Sequence, residues 1–437
     1  MQVKTPVPKT KEFDTTLALV KEGYNFIPSR RKELGSDIFK TRLMGQKAIC
    51  IAGEEAAAIF YDPNIFKREG AAPKFLELSL LGTGGIHGRD GEDHHQLKRM
   101  FLSMMTPERL EDMKSMMIEE LDVKAREWEH KDQVVLMDDL REVLTRAICR
   151  WAGLPLKESE VAQRTKELSD MVDSFDVDKI RYPAGVKARK SQEKWLEGII
   201  RDIRDGKYNP PPYTAAYIVA NHKEPNGKYL DLHTAAVDLN NAYRPTLAVA
   251  YFMVFGTMAL HEHPETKEKL KEDKNNYSQM FSQEVRRYYP FAPAMAALVK
   301  RNFRWRDHSF KKNTLVVLDI FGTNRHPDSW QDADQFIPER FMNWRGSPFA
   351  FVPQGGGDHH IGHRCAGEWM TVMLMRAYFK YMTENITYDV PEQDLNYDMT
   401  RFPTMPKSKF IIRNVKRVKN SPENIIFHQG THAAVKF

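Results

Sequence analysis

The sequence predicts a mainly α-helical protein: one α-rich domain carrying small peripheral β-sheets. Leucine, methionine and charged residues recur at helical spacing over long runs, β-like runs are few and short, and no internal repeat or low-complexity tract divides the chain. The helical runs are Pro107 to His130, Leu136 to Ala152, Lys157 to Val172, Gly185 to Ile203, Leu230 to His261 and Gly367 to Met382. The β-like runs are Ala48 to Ile51, Ala297 to Val299, Thr314 to Leu318 and Phe410 to Ile412. The clusters Asn209 to Tyr213, with three prolines, and Lys223 to Lys228 punctuate helices and do not separate domains. A length of 437 residues admits two or three average domains or one large enzyme. The reading is one domain over residues 1–414. Residues 415–437, polar and aperiodic, form a peripheral or mobile extension.

Bulk composition excludes several classes. Cys50, Cys149 and Cys365 are spread too widely for a disulfide framework, so a reducing, cytoplasmic compartment is expected. The start, Met1 to Lys9, has neither an apolar signal core nor a membrane span, so no membrane anchor is expected. The net charge is +6, but Lys and Arg are interspersed with Asp and Glu, which gives nucleic-acid binding little support.

Chemistry concentrates near the C-terminus. In Phe351 to Gly367 a glycine-dense loop ends at Cys365, and a helical run follows. A helix N-terminus and nearby cations stabilise a thiolate, which suits a metal ligand. His359, His360 and His363 admit a zinc reading, against which the absence of paired ligand clusters argues. A lone cysteine is most often a small buried hydrophobe. Upstream, Glu284 and Arg287 share a helix face at i, i+3, and Arg340 follows in the proline-marked Phe336 to Phe341.

E-x-x-R, F-x-P-E-R-F and G-H-R-C-A-G, in that order, resemble the C-terminal half of a cytochrome P-450. The resemblance implies the cytochrome P-450 fold, with residues 1–414 as a haem domain and Glu284, Arg287 and Arg340 as a salt-bridged triad. It implies haem b, with Cys365 as the axial thiolate ligand of the iron. Phe351 stands fourteen residues before Cys365 where the usual signature has seven, and this longer Gln-Gly-Gly-Gly loop resembles the bacterial fatty-acid peroxygenase branch, which includes olefin-forming decarboxylases. The resemblance extends from about residue 10 to about residue 415.

Arg244-Pro245 opens an almost wholly apolar helical stretch, Thr246 to Phe255. A buried guanidinium needs a carboxylate or equivalent acceptors, and its planar fork suits a carboxylate. Pro245 removes a backbone donor and should kink the helix or open its ladder beside the arginine. Taken alone, the pair is equally compatible with a structural salt bridge at a tolerated kink. In the resembling fold this helix crosses the distal haem face, and oxygen-activating members carry an acid–alcohol pair here. The resemblance therefore implies that Arg244 holds a substrate carboxylate, which moves the proton that splits the O–O bond of hydrogen peroxide. A redox partner is then unnecessary.

The loop Leu80 to Gly91 has the wrong glycine spacing for a dinucleotide site. Its His87 is an ordinary loop histidine by default. In the resembling branch this position lies over the haem, is glutamine in typical hydroxylases and is histidine in the best-known decarboxylase. Near its usual pKa it would donate a proton or hydrogen bond there, favouring decarboxylation to a terminal alkene. Leu81 stands where the branch commonly has phenylalanine, which loosens the orientation of the histidine and favours a product mixture.

For the haem propionates, His94 and Lys98 lie on one helix face at i, i+4, and His363, Arg68 and Gln354 are further candidate contacts, each otherwise a solvated side chain. Leu80, Leu81, Ala292 to Leu298 and Arg401 to Met405 are candidate lining for an acyl chain. With its carboxylate at Arg244, oxidation falls at the α or β carbon. The expected activity is oxidation of long-chain fatty acids by hydrogen peroxide, through α/β-hydroxylation and decarboxylation to 1-alkenes. The alternatives are a partner-dependent monooxygenase and a non-catalytic haem or fatty-acid-binding protein.

Overall fold

The computed structural model describes residues 7–175 and 180–418. Helices form where the periodicity predicts them, and their ends follow local chemistry. Thr106 caps the helix Pro107–Trp128 by accepting from the Arg109 amide at 3.4 Å, and Pro107 sits in the first turn, where a missing N–H costs nothing. The helix Leu136–Ala152 stops at Gly153, whose left-handed φ of 72° closes it. The Lys157 to Val172 run divides into a short 3₁₀ turn, Glu158–Glu160, and the helix Val161–Asp173. Arg181–Arg204 and Glu368–Glu384 complete the set around the main core.

The long run Leu230 to His261 is three pieces and not one helix. Leu232–Tyr243, capped by Asp231 through the Thr234 amide at 3.0 Å, gives way to a 3₁₀ segment, Arg244–Ala248, and then to Val249–Glu262. Pro245 cannot donate to the α-helical ladder, so the chain tightens to i→i+3 bonding beside Arg244, as its position predicts. From Val249 to Leu260 every residue is buried, which explains a sequence apolar on all sides.

The main sheet has five strands in the order Ile38–Leu43, Gln46–Ile51, Leu315–Asp319, Ala294–Val299 and Phe66–Lys67. Ala48 pairs in parallel with Leu315, and the other pairings are antiparallel. A smaller sheet joins Val134–Val135, Ile411–Arg417 and Ile386–Asp389. The strand Ile411–Arg417 runs through the expected boundary at 414 and buries Val415, because Val415 packs into the helical core. The rest of the expected extension, 419–437, lies outside the described residues. The core is one large helical cluster holding Trp128, Trp151, Tyr243 and Tyr378, with two lesser clusters at the five-stranded sheet.

The Glu284 carboxylate, fully buried, ties this frame together. It takes both prongs of Arg287 at 2.7 Å, the Ile337 amide at 2.8 Å and Arg340 Nε at 3.2 Å. Arg287 also donates to the carbonyls of Ala333 and Gln335, so helix Tyr277–Tyr288 is bolted to the irregular segment that precedes the cysteine loop. Trp330, stacked on Trp344 and donating Nε1 to the Ala350 carbonyl at 3.1 Å, continues that brace to the loop itself.

Candidate active site

Gly355 and Gly357 adopt left-handed φ values of 92° and 80°, and a Cβ on Gly356 would lie 2.7 Å from Val352 Cγ1 and 2.8 Å from the Pro348 carbonyl. The glycine loop is thus a tight coil against Tyr61, with no space for side chains at these positions. It delivers Cys365 to the start of helix Glu368–Glu384. The Cys365 amide donates to the Gln354 carbonyl at 3.0 Å, and Gln354 Nε2, bonded to Thr371 Oγ1 at 3.1 Å, stands 3.8 Å from Sγ. Behind the loop, buried Glu368 is held by Arg286 and Arg364.

The thiol is pushed up from its usual range by burial and by Glu368, with the Gly367 amide, Lys98 and Arg286 pulling the other way. The expectation that helix end and cations alone would favour the thiolate is corrected here. Desolvation of the charge outweighs the helix end and the cations. A thiolate at this place therefore depends on a metal centre to compensate it. Cys50 and Cys149 lie deep in the apolar cores, Cys149 pushed up to about 12 and Cys50 further, and neither fits a ligand's role.

Arg244, 5% exposed, lies within electrostatic reach of Cys365. Burial, then neighbouring Arg189, depresses its guanidinium to about 9, while Tyr243 and Cys365 support its charge. Its Nη2 donates to Asn241 Oδ1 at 3.3 Å and its Nε has no partner. Every other buried arginine but Arg68 has a carboxylate: Arg30 has Glu22, Arg109 Asp112, Arg141 Asp173, Arg164 Glu167, Arg189 Glu193, Arg286 Glu368 and Arg287 Glu284. Among the described residues Arg244 and Arg68 make no ion pair.

His87 follows Ile86 in a 3₁₀ turn, Ile86–Gly88. The residue is exposed to open space, yet its ring stands among the cations Arg244, Arg189 and Lys98. Burial, then Arg244 and Arg189, lower its pKa to about 3. The expectation of a pKa near neutral is corrected: His87 is a neutral imidazole, because a second positive charge beside two guanidiniums is unfavourable. Leu80 is buried and Leu81 half-buried in the same loop. Of the other lining candidates, Ala294 to Leu298 form a strand of the main sheet and Arg401 lies 3.9 Å from Asp173.

The remaining candidates converge on His363. Its ring lies 3.9 Å from that of His94, and its Nε2 is 3.4 Å from Asp90. Lys98 donates to the Arg364 carbonyl and is lowered to about 8, chiefly by burial. Arg68 reaches the carbonyls of Ala296 and Phe60 and lies over the Phe60 ring at 4.1 Å. His94 falls to about 3 through burial and the proximity of His363. Buried cations in excess of carboxylates, next to a half-buried thiol, fit a thiolate-bound macrocycle with anionic side groups. The zinc reading fails: His359 is stacked on Trp369, His363 packs at a tilt against His94, and among the described residues no group of three potential ligands is placed to hold a metal.

Sequence reasoning missed Asp238, Asn241 and Arg189. Asp238 and Asn241 precede Arg244 at steps of three, a helical face that the spacing already contained. Arg189 gave no signal of this contact, since beside its i, i+4 partner Glu193 the groups it holds at the loop and at Asn241 are 109 and 52 residues away.

The cytochrome P450 family model, written hereafter P-450, matches residues 16–413. The chain belongs to the cytochrome P-450 family. Its cofactor is accordingly haem b held by a cysteine thiolate. Among curated relatives, this P-450 is 22% identical to P-450 120 of Synechocystis sp., over 91% of this chain and 93% of that one. It is also 22% identical to P-450 26B1 of Xenopus tropicalis, over 86% and 80%. Solved structures are nearer. P-450EX alpha (CYP152N1) with myristic acid superposes with a TM-score of 0.92 at 39% identity, covering 95% of this chain and all of that one. P-450SP alpha (CYP152B1) gives 0.90 at 40%, over 92% and 99%. Ligand-free P-450 OleT gives 0.92 at 36%, over 95% and 100%. These likenesses place the P-450 in the fatty-acid peroxygenase branch. No described helix is long and apolar enough to cross a membrane.

Proposed function

We propose that this P-450 is a peroxygenase: it takes hydrogen peroxide as oxidant and oxidises long-chain fatty acids at the α and β carbons or removes their carboxyl group to give terminal alkenes. The observation that carries the reading is Arg244, a buried guanidinium with a free Nε and no carboxylate partner. A fatty-acid carboxylate would complete it, and two of the similar structures hold a fatty acid, myristic in one and arachidonic in the other.

Cys365 would hold the iron, with Arg68, His94, Lys98 and His363 toward the propionates and Gln354 beside the sulfur. The haem supplies, when bound, the iron centre at which oxygen is transferred. Arg244 binds and orients the substrate through its carboxylate, which fixes the carbons nearest to it as the reacting ones. Held there, the carboxylate takes a proton from one peroxide oxygen and returns it to the departing one, so O–O cleavage releases water. Pro245 follows Arg244 directly, so no side-chain acid or alcohol stands at that point. His87, neutral, offers one ring N–H as a hydrogen-bond donor over the reacting carbons, and its orientation divides the two outcomes.

The test is mass-spectrometric product analysis of the haem-loaded protein with a long-chain fatty acid and hydrogen peroxide, without reductase or nicotinamide cofactor. A terminal alkene one carbon shorter, with α- and β-hydroxy acids beside it, is expected. Absence of both from a haem-replete preparation refutes the reading and favours a partner-dependent monooxygenase.

A further inference from the structure

His87 stands on a segment that lacks the aromatic side chain expected at position 81, so something else must fix it. The segment from Leu80 to Ile86 is held at one end by helices Arg181–Arg204 and Leu232–Tyr243 and at the other by Leu232–Tyr243. At one end Arg189 donates to the carbonyls of Leu80 (2.7 Å) and Leu81 (3.3 Å), and Asn241 Nδ2 donates to Leu81 O at 2.9 Å. At the other end the buried Ile86 amide donates to Asp238 Oδ1 at 2.9 Å, across 152 residues of sequence. Between them two glycines permit the approach. A Cβ on Gly82, at φ 77°, would sit 2.0 Å from Arg189 Nη2. A Cβ on Gly85 would sit 2.6 Å from Val237 Cγ1 and 2.7 Å from Asp238 Oδ1.

Asp238 is fully buried, and its Oδ2 has no hydrogen-bond partner. A carboxyl placed so deep with one oxygen unsatisfied is costly to the fold, and a packed apolar residue would cost less. Such a group is retained for what its bonded oxygen does. Here that oxygen fixes the backbone immediately before His87, and a peptide plane pinned at Ile86 leaves the Cα of His87 little freedom to move relative to Arg244, which follows Asp238 by six residues in the chain. We propose that Asp238 is a positioning residue that holds His87 in register with the substrate carboxylate at Arg244, and so sets how product divides between alkene and hydroxy acid.

The inference rests on the peroxygenase reading for its product and on geometry alone for the clamp, and two measurements separate these. The first is amide hydrogen exchange of the haem-loaded protein, followed on peptides covering 80–88. Asp238→Ala should lose protection there by about tenfold, the factor that one buried hydrogen bond corresponds to, while Asp238→Asn, which keeps an oxygen at the same place, should retain it. The second is the alkene to hydroxy-acid ratio from a long-chain fatty acid and peroxide. It should fall in Asp238→Ala by about the same factor, stay near the parental value in Asp238→Asn, and change without loss of the fatty-acid-induced shift of the haem absorption band. Equal exchange in all three proteins overturns the clamp. Lost protection with an unchanged ratio overturns the role in product partition. If the parent protein forms neither product, the peroxygenase reading fails and takes the partition with it, and exchange alone decides whether Asp238 pins the segment.

Discussion

Replacing Arg244 by methionine should move binding and stability in opposite directions. In the free protein the guanidinium is buried, lacks an ion pair and leaves Nε unbonded, and its pKa is depressed to about 9, so its charge opposes folding. Methionine keeps an unbranched, flexible stem, packs in apolar surroundings and forfeits one long bond to Asn241. We expect a gain of about 2 kcal/mol, well within what a buried uncompensated charge costs. At roughly 2.1 cal/mol/K of unfolding entropy per residue, 437 residues give about 0.9 kcal/mol/K, so the melting midpoint should rise by about 2 °C. Loss of the partner for a buried carboxylate costs about 3–5 kcal/mol, or roughly two to three and a half orders of magnitude in affinity. The assays are thermal melting of the haem-loaded protein and titration of the haem band with a fatty acid and with its methyl ester. The acid should lose affinity by that factor and the ester should not. A destabilised variant that still binds the acid normally would refute the argument.

Other perturbations follow from the same geometry. Glu284→Ala strands Arg287 and Arg340 beside a buried void, and denaturant unfolding should report a loss of about 3–5 kcal/mol. Because His87 is held near pKa 3 as a neutral imidazole, the alkene to hydroxy-acid ratio of the Asp238→Asn variant, which lacks the carboxyl that burial raises to about 6, should be flat between about pH 5 and 8, and an inflection near 6.5 in that variant would contradict that state. Asp319 is fully buried with Oδ2 unbonded, and burial raises its carboxyl to about 7. The folded protein then keeps a proton that the unfolded chain gives up above about pH 4, so this group's contribution to stability is complete below pH 4 and lost as pH rises to 7. Asp319→Asn retains the acceptor for the Gly322 amide and should flatten that slope, seen as a stability gain at pH 7.5 on the order of 2–4 kcal/mol with little change at pH 4.

How much was legible in the sequence depended on range. Helices with a strong 3.6 period were found almost to the residue, and Leu136–Ala152 coincides with its run, because local periodicity and a glycine stop both lie within the segment. The division at Arg244-Pro245 was also local, since proline acts on its own turn. The motifs located Cys365 and the Glu284 triad because their spacing along the chain carries the information. What was not legible depends on desolvation and on partners far away. The raised Cys365 thiol and depressed His87 are set by burial that no window of sequence contains, and Arg189 acts on a loop more than 100 residues earlier. The strand Ile411–Arg417 passed the expected boundary because Val415 is polar in its neighbours but apolar in its contacts.

The two buried arginines without carboxylates give a criterion that does not depend on any motif. A fold that buries guanidiniums and pairs each within itself uses them as braces, and Arg287 against Glu284 is such a brace: remove either partner and the other is left charged in the core. Arg244 and Arg68 break that pattern, and they do so in different surroundings, Arg244 near Asn241 and His87, Arg68 near His363 and Asp90. A protein that folds with two such charges has reserved them for anions that arrive after folding. In a haem protein that oxidises fatty acids the two anions differ in kind: a propionate that stays and a carboxylate that exchanges. Arg68 is backed by an aromatic ring and by carbonyls, and His363 bridges the cluster to Asp90, which suits a permanent counter-ion. Arg244 has one weak bond and a free Nε, so its fork can engage and release. Exchange of Arg68 for methionine should therefore lower haem retention while leaving the acid-over-ester preference of the haem-loaded fraction intact, and the Arg244 variant should do the reverse.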